Sequence, residues 1–292
     1  MPELPEVETI KRDLEKKILR KEITGIKIKD NKISKNGFKK SVNLIKGEFF
    51  SDIDRIGKLL IFKLSKRKYF MLVHLKMTGQ LVYVFGKSLI AGGHSLNSRS
   101  GIAAVSGSLP NKYTRVIFEF KDKSRLFFND LRRFGYIRLV NQDELDLLKK
   151  NFGIEPLQTD FTYKNLYHVL KNRKTSVKAV LLNQKLISGI GNIYADEILF
   201  RAGLRPDRIA GSLKPAEIKK LYRATNYIIK RAIRYRGTTF SNYIDAKGRP
   251  GNFSAQLKVY GRSRKKCYRC SGMIEKIKIA GRGTHVCFSC QN

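Results

Sequence analysis

Residues 175–202 read TSVKAVLLNQKLISGIGNIYADEILFRA. Apolar residues keep helical spacing up to Lys185, Gly189 and Gly191 then break the pattern, and Asn192 is placed to cap a second helix. Two glycines ahead of an N-cap expose backbone N–H groups at a positive helix end, which is a seat for phosphate. An ordinary tight turn between helices has the same appearance. Helical periodicity continues on both sides, over 142–151, 162–171, 175–185, 192–202 and 214–235.

Upstream the period changes. A helix fits residues 5 to 19, with Val7, Ile10, Leu14 and Ile18 on one face. Strand-like runs follow at 23–29, 47–56, 58–64, 69–75, 79–85, 114–120, 125–130 and 135–140, separated by turn residues, as in a two-layered antiparallel sandwich. The Gly- and Ser-rich stretch 86–112 reads as a long surface loop. The fold class is therefore α+β, in three consecutive segments: 1–150, an N-terminal helix on an antiparallel β-sandwich; 151–256, helical; 257–292, a cysteine module.

That module is Cys267-Tyr-Arg-Cys270, sixteen residues, then Cys287-Phe-Ser-Cys290. Two CxxC knuckles at this separation make a tetrahedral thiolate site for one structural zinc ion, with no coordination position left for water. Redox disulfides or an iron–sulfur cluster are the other readings of four cysteines. Between the knuckles, alternating apolar residues suggest a hairpin with Gly281-Arg282-Gly283 at its tip. A guanidinium held there is well placed for phosphate.

The formal charge of the 292 residues is +36, and it is denser towards the C-terminus: net +14 over the first 160 residues and net +22 over the last 132. Charge on this scale points to a polyanion, nucleic acid before an anionic membrane surface. No segment approaches the ~20 apolar residues of a membrane span. An acidic N-terminus is unlike a signal peptide, so a cytoplasmic protein is expected.

The acidic start, MPELPEVE, stands out against that charge. Proline suits the first turn of a helix and carboxylates suit its positive end, which accounts for Pro5 and Glu6. Pro2 asks for more. Removal of Met1 exposes a secondary amine with a pKa of about 8, against about 10.4 for lysine, so far more of it is neutral and nucleophilic at pH 7. Attack on a sugar anomeric carbon gives an iminium cation that acidifies the neighbouring carbon, and Glu3 is placed to manage the protons.

These stretches resemble a known family, the formamidopyrimidine-DNA glycosylase and endonuclease VIII family of base-excision repair enzymes. The resemblance runs through MPELPEVETI, RIGKLL (55–60), HLKMTGQL (74–81), DLRRFGYI (130–137), SGIGNIYADEILFRAGLRP (188–206), NFSAQLKVYGR (252–262) and the cysteine module. It implies a β-sandwich with an N-terminal helix, a helix–two-turns–helix domain and a zinc-finger hairpin. It implies a monomer acting on double-stranded DNA with a damaged base or an abasic site. Pro2 would be the Schiff-base nucleophile and Glu3 the acid that assists base release. Glu6 would support the proton relay, Lys58 would assist β-elimination, and Arg282 would bind phosphate and assist δ-elimination. His74, Arg173 and Asn192 would contact the DNA backbone. Met77, Arg132 and Phe134 would fill the gap left by an extruded base, and their identities resemble the branch specific for 8-oxoguanine. The segment 237–253 looks like a loop that covers the flipped purine.

Two positions depart from the family pattern. Leu131 stands where a proline is usual, and Tyr113 where a DNA-contacting histidine is frequent; a tyrosine retains the ability to donate to phosphate. The activity implied is a bifunctional DNA glycosylase and AP lyase for oxidised purines. The alternatives are a sibling enzyme for oxidised pyrimidines, a zinc-containing DNA-binding protein without the chemistry, and a basic ribosome-associated zinc protein.

Overall fold

The first helix, α1 (Leu4–Ile18), forms where the spacing places it, and Val7, Ile10, Leu14 and Ile18 are all buried. A computed structural model describes residues 2–66, 68–86, 88–93, 109–238 and 252–292. It divides into two compact units, one of Met1–Lys149 with Tyr235–Ser254, the other of Lys150–Arg234 with Ala255–Asn292. Residues 235–238 and 252–254, read from sequence as part of the helical segment, thus cluster with the first unit.

In the first unit, nine strands among the described residues make two antiparallel sheets. One has the order β1 (Ile23–Ile28), β7 (Thr114–Phe120), β8 (Arg125–Asp130), β5 (Gly79–Phe85), β6 (Ser88–Gly93). The other has the order β2 (Phe50–Ile56), β3 (Leu59–Leu64), β4 (Phe70–His74), β9 (Tyr136–Val140). A shared core of buried residues joins α1 to both, including Ile53, Phe62 and Val73 from one sheet and Leu81, Phe118 and Phe128 from the other. A short helix, α2 (Gln142–Lys149), follows β9. Strand β6 lies inside the stretch expected to be loop. Its Gly and Ser content hid it, and it forms by pairing with β5 across a tight turn at Gly86, whose φ is +56°. Residues 94–108 of that stretch lie outside the described residues, as do 239–251 of the expected covering loop.

Residues 75–78 lead from β4 to β5, and residues 131–135 lead from β8 back to β9, so both segments cross from one sheet to the other. Because β4 pairs with β9 (His74 opposite Tyr136) and β5 with β8 (Gly79 opposite Asp130), topology sets the crossings side by side.

The second unit holds α3 (Tyr163–Leu170), α4 (Val177–Leu182), α5 (Asn192–Ala202), α6 (Pro215–Arg234) and the hairpin of β10 (Glu275–Ile279) with β11 (Arg282–Val286). Helix α4 and helix α5 are the two helices of the 175–202 stretch. The N-cap of α5 is Gly191, in extended conformation, and Asn192 is its first helical residue. The amide expected to cap the helix donates from Nδ2 to the Gly283 carbonyl instead, at 2.9 Å.

Gly79 marks where the first crossing is tightest: a Cβ there would lie 2.4 Å from the Leu75 carbonyl oxygen. Gly79→Ala is expected to cost about 1–3 kcal/mol of unfolding free energy through backbone displacement. Chemical denaturation of the two proteins measures it, and equal midpoints would show that the turn relaxes freely.

Candidate active site and nucleic-acid interface

At the head of α1, Pro2, Glu3 and Glu6 are all buried. The Glu6 carboxylate is held from two directions. One oxygen accepts the Glu3 N–H at 2.9 Å, the returning arm of a capping box. The other accepts the Thr238 N–H at 2.7 Å and the Thr238 hydroxyl at 3.0 Å. Gly237 makes the approach possible, since a Cβ there would lie 2.6 Å from Glu6 Oε1, and its φ is +80°. Glu6 therefore fixes the backbone that carries Pro2 and Glu3.

Further along the same helix, Glu8 binds Arg55 Nε at 3.0 Å, and Arg55 Nη1 donates to the Gly57 carbonyl at 2.9 Å. Burial pushes the Glu8 carboxyl up, but Arg55 and Arg12 outweigh it and hold the group below its ordinary range. The pair ties α1 to the turn that presents Lys58, which is itself buried at 6% exposure. Neither Glu8 nor Arg55 was singled out from the sequence, where an acid on a helix and a base on a strand have no visible partner.

His74 ends β4. Its Nδ1 accepts the Lys76 N–H at 3.0 Å, which leaves the proton on Nε2. Burial and the charges of Lys76 and Lys58 pull its pKa from about 6.5 down to about 3. The ring is a neutral N–H donor at physiological pH. Met77, Arg132 and Phe134 sit on the two crossings, all exposed, with Met77 at 42% and Phe134 at 53%. Arg132 Nη1 lies 3.2 Å from Met77 Sδ, and its guanidinium carbon 4.7 Å from the Phe134 ring centre. Exposure at this level excludes both apolar side chains from the sandwich core. Leu131 beside them is exposed too, and Tyr113, half-buried, accepts the Asp130 N–H on its carbonyl at 2.9 Å.

In the second unit, Asn192 and the hairpin meet. The tip is a two-residue turn at Ala280 and Gly281, both with positive φ, so Arg282 opens β11 opposite Ile279 and is exposed beside the turn. Beneath it Lys178, fully buried, donates to Asp196 at 2.6 Å and to the Thr284 hydroxyl at 2.7 Å. The second Asp196 oxygen accepts the His285 N–H at 2.8 Å. Next along α5, Glu197 accepts the N–H groups of Lys258, Val259 and Tyr260, each at 2.9 Å. Asn192 Oδ1 is buried with no hydrogen-bond partner among the described residues. Arg173 is exposed after α3, with Nε donating to the Val169 carbonyl at 3.2 Å.

Cys267, Cys270, Cys287 and Cys290 bring four sulfur atoms within 4.8 Å of one another. Cys267 and Cys290 are 3.9 Å apart and Cys270 and Cys287 3.5 Å. A zinc tetrathiolate with bonds of about 2.3 Å has edges of about 3.8 Å, whereas a disulfide closes to about 2.05 Å. The donors fit a closed structural zinc site, and Arg269 N–H donates to the Cys267 sulfur at 3.3 Å. No helix among the described residues is long and apolar enough to cross a membrane.

Two measurements follow. Elemental analysis should find one zinc per chain, and Cys270→Ser should lose it and lower the melting temperature of the second unit; retention of full zinc by that variant would contradict the ligand set. The lowered His74 pKa means that the unfolded chain takes up a proton that the folded chain refuses. Its contribution to stability is thus intact above pH 6.5 and lost as pH falls from there towards about 3. Imidazole NMR signals of His74 should stay flat between pH 8 and 5, and a midpoint near 6.5 would refute the neutral ring.

The comparisons with known proteins cover the whole chain. Residues 1–137 match the formamidopyrimidine-DNA glycosylase N-terminal domain, 152–243 the formamidopyrimidine-DNA glycosylase H2TH domain, and 264–292 the zinc finger found in FPG and IleRS. The formamidopyrimidine-DNA glycosylase of Pelotomaculum thermopropionicum is 40% identical over 297 residues, covering 100% of this chain and 99% of that protein. That of Carboxydothermus hydrogenoformans is also 40% identical, with 100% of both covered. Among solved structures, the Lactococcus lactis enzyme in complex with abasic-site DNA has a TM-score of 0.85 at 32% identity, with 99% of each chain covered. The same enzyme in complex with Fapy-dG-containing DNA gives 0.83 at 32% identity, with 99% of this chain and 100% of that chain covered. With all three segments matched and 40% identity sustained along the full length, the chain is a DNA glycosylase of the formamidopyrimidine-DNA glycosylase family.

Proposed function

We propose that this protein excises oxidised purines, 8-oxoguanine and formamidopyrimidines, from double-stranded DNA and then cleaves the strand at the abasic site. The observation that carries the reading is the buried, doubly anchored start of α1: Glu6 fixes the Glu3 backbone, so Pro2 is held where a mobile chain end would otherwise be. With Met1 removed, the Pro2 amine attacks C1′ of the damaged nucleotide, and the base leaves as Glu3 supplies a proton. Opening of the sugar ring then breaks the C1′–O4′ bond, O4′ takes a proton, and the iminium left at C1′ withdraws electrons from C2′; loss of a C2′ proton expels the 3′ phosphate, with Lys58 assisting. A second elimination, aided by Arg282, expels the 5′ phosphate.

The remaining residues handle the DNA. His74 offers its Nε2–H to a phosphate as a neutral donor, and Asn192 and Arg173 take the backbone nearby. Tyr113 gives a hydroxyl where the family pattern often has histidine. Met77, Arg132 and Phe134 enter the duplex and occupy the space of the extruded base, offsetting part of the few kcal/mol that unstacking costs. The division into a catalytic segment (1–150), a helical DNA-binding segment (151–256) and a zinc finger (257–292) follows the same roles. The charge of +36 favours DNA from a distance and makes binding salt-dependent. The enzyme works as a monomer, in the cytoplasm where bacterial-type DNA lies.

Borohydride trapping on a duplex with one 8-oxoguanine opposite cytosine tests the chemistry. The expected result is a cross-link, located by peptide mass spectrometry on the nitrogen of Pro2. A cross-link only with an oxidised pyrimidine would move the enzyme to the sibling specificity. A protein shown to lack Met1 that cross-links to neither would have no Schiff-base chemistry.

A further inference from the structure

Beneath the exposed trio of Met77, Arg132 and Phe134 lies a pair of polar side chains that the reaction does not use. Asp130 is fully buried at the end of β8, and Thr78 is 5% exposed at the end of the first crossing. One Asp130 oxygen accepts the Thr78 hydroxyl and the Arg132 N–H, the latter at 3.2 Å. The other accepts the Gly135 N–H at 2.7 Å. Thr78 Oγ1 in turn accepts the Arg132 N–H at 2.9 Å. The carboxylate therefore grips both ends of the 132–135 segment, and the threonine ties that segment to the turn carrying Met77.

The fit is close. A Cβ on Gly135 would lie 2.8 Å from Phe128 Cζ and 3.0 Å from Asp130 Oδ2. Each crossing also contains a non-glycine residue in the left-handed region, Lys76 at φ +50° and Arg133 at φ +60°. Such conformations persist where their surroundings hold them. The sheets do not need the pair, because β4 with β9 and β5 with β8 are joined by their own backbone ladders. What the pair adds is a link between two connections more than fifty residues apart in sequence, at the point where three exposed side chains are stacked on one another.

We propose that Thr78 and Asp130 are positioning residues for base extrusion: their hydroxyl–carboxylate link assembles Met77, Arg132 and Phe134 into one wedge before DNA is met. The inference rests on the proposed reading of that trio as the gap-filling side chains. A wedge ordered in advance does not have to be ordered during insertion, so more of its contact energy opposes restacking of the base.

Thr78→Val keeps the shape and removes the hydroxyl; Thr78→Ser keeps the hydroxyl, and Thr78→Ala is the second variant should valine not fold. Stopped-flow fluorescence of 2-aminopurine beside the 8-oxoguanine reports extrusion, and cleavage of a duplex with a preformed abasic site reports the chemistry where no base needs extruding. Losing the hydroxyl should slow extrusion about tenfold, the scale of one net buried hydrogen bond. Serine should restore it, and abasic-site cleavage should stay unchanged. Met77→Ala and Phe134→Ala are run alongside. If they slow extrusion and Thr78→Val does not, the positioning role is wrong while the wedge stands. If neither alanine variant slows extrusion, the wedge reading itself fails and takes the proposal with it. Equal losses in extrusion and abasic cleavage on removing the hydroxyl would make the pair merely structural and overturn the inference.

Discussion

The 2.9 Å hydrogen bond from the Glu3 N–H to the Glu6 carboxylate joins two requirements that ordinarily conflict. A chain terminus frays because few contacts hold it, whereas the nucleophile proposed at Pro2 has to stay within bonding distance of its target. Making Glu6 the third residue of a helix and the acceptor for the backbone one turn back resolves this with local geometry. The same carboxylate takes Thr238, over two hundred residues away, so the terminus is fastened to the body of its unit as well as to its own helix. The Glu8–Arg55–Gly57 chain repeats the device two residues further on, fixing the Lys58 turn to the same helix. A helix start that would be marginal alone is thereby anchored both locally and to the body of the first unit.

The second unit solves a different problem. The zinc finger, matched over only 264–292, is too small to bury much apolar surface, and zinc supplies the closure that a core would otherwise provide. Zinc fixes the knuckles but not the hairpin's far end. Towards that end the Gly283 carbonyl accepts from Asn192, and the middle of β11 is held by the Lys178–Asp196 pair, both at zero exposure, through Thr284 and His285. Removing one partner would leave the other as an uncompensated buried charge, which makes such pairs sharp determinants of position even where they add little stability. Arg282 is thus carried on a strand fastened by metal just beyond its last residue and by a buried charge pair along its middle.

Much of this was legible in the chain. Spacing of Val7, Ile10, Leu14 and Ile18 gave α1 because a helix that packs on a sheet must repeat near 3.6. The CxxC pairs gave the zinc site because few other chemistries use that spacing. Asn192 was legible only in part: it was expected to cap the helix, but glycine takes the cap and the amide reaches the hairpin. Strand β6 was hidden because pairing with β5, and no pattern of its own, makes it a strand. Asp130, Asp196 and Glu197 were invisible for a common reason. A buried carboxylate and a solvated one are written with the same letter, and only the tertiary neighbours that satisfy its oxygens tell them apart.

Met77, Arg132 and Phe134 hang on the connections between sheets and not on the strands. Strand residues answer to a core in which one methylene too many is felt; these three answer mainly to solvent and to one another. Substitutions there can explore new shapes while the scaffold beneath keeps its register. On the proposed reading of the three as the side chains that enter the duplex, what is probed for can change without a change of fold, and a library confined to these two crossings is where altered lesion preference should be sought.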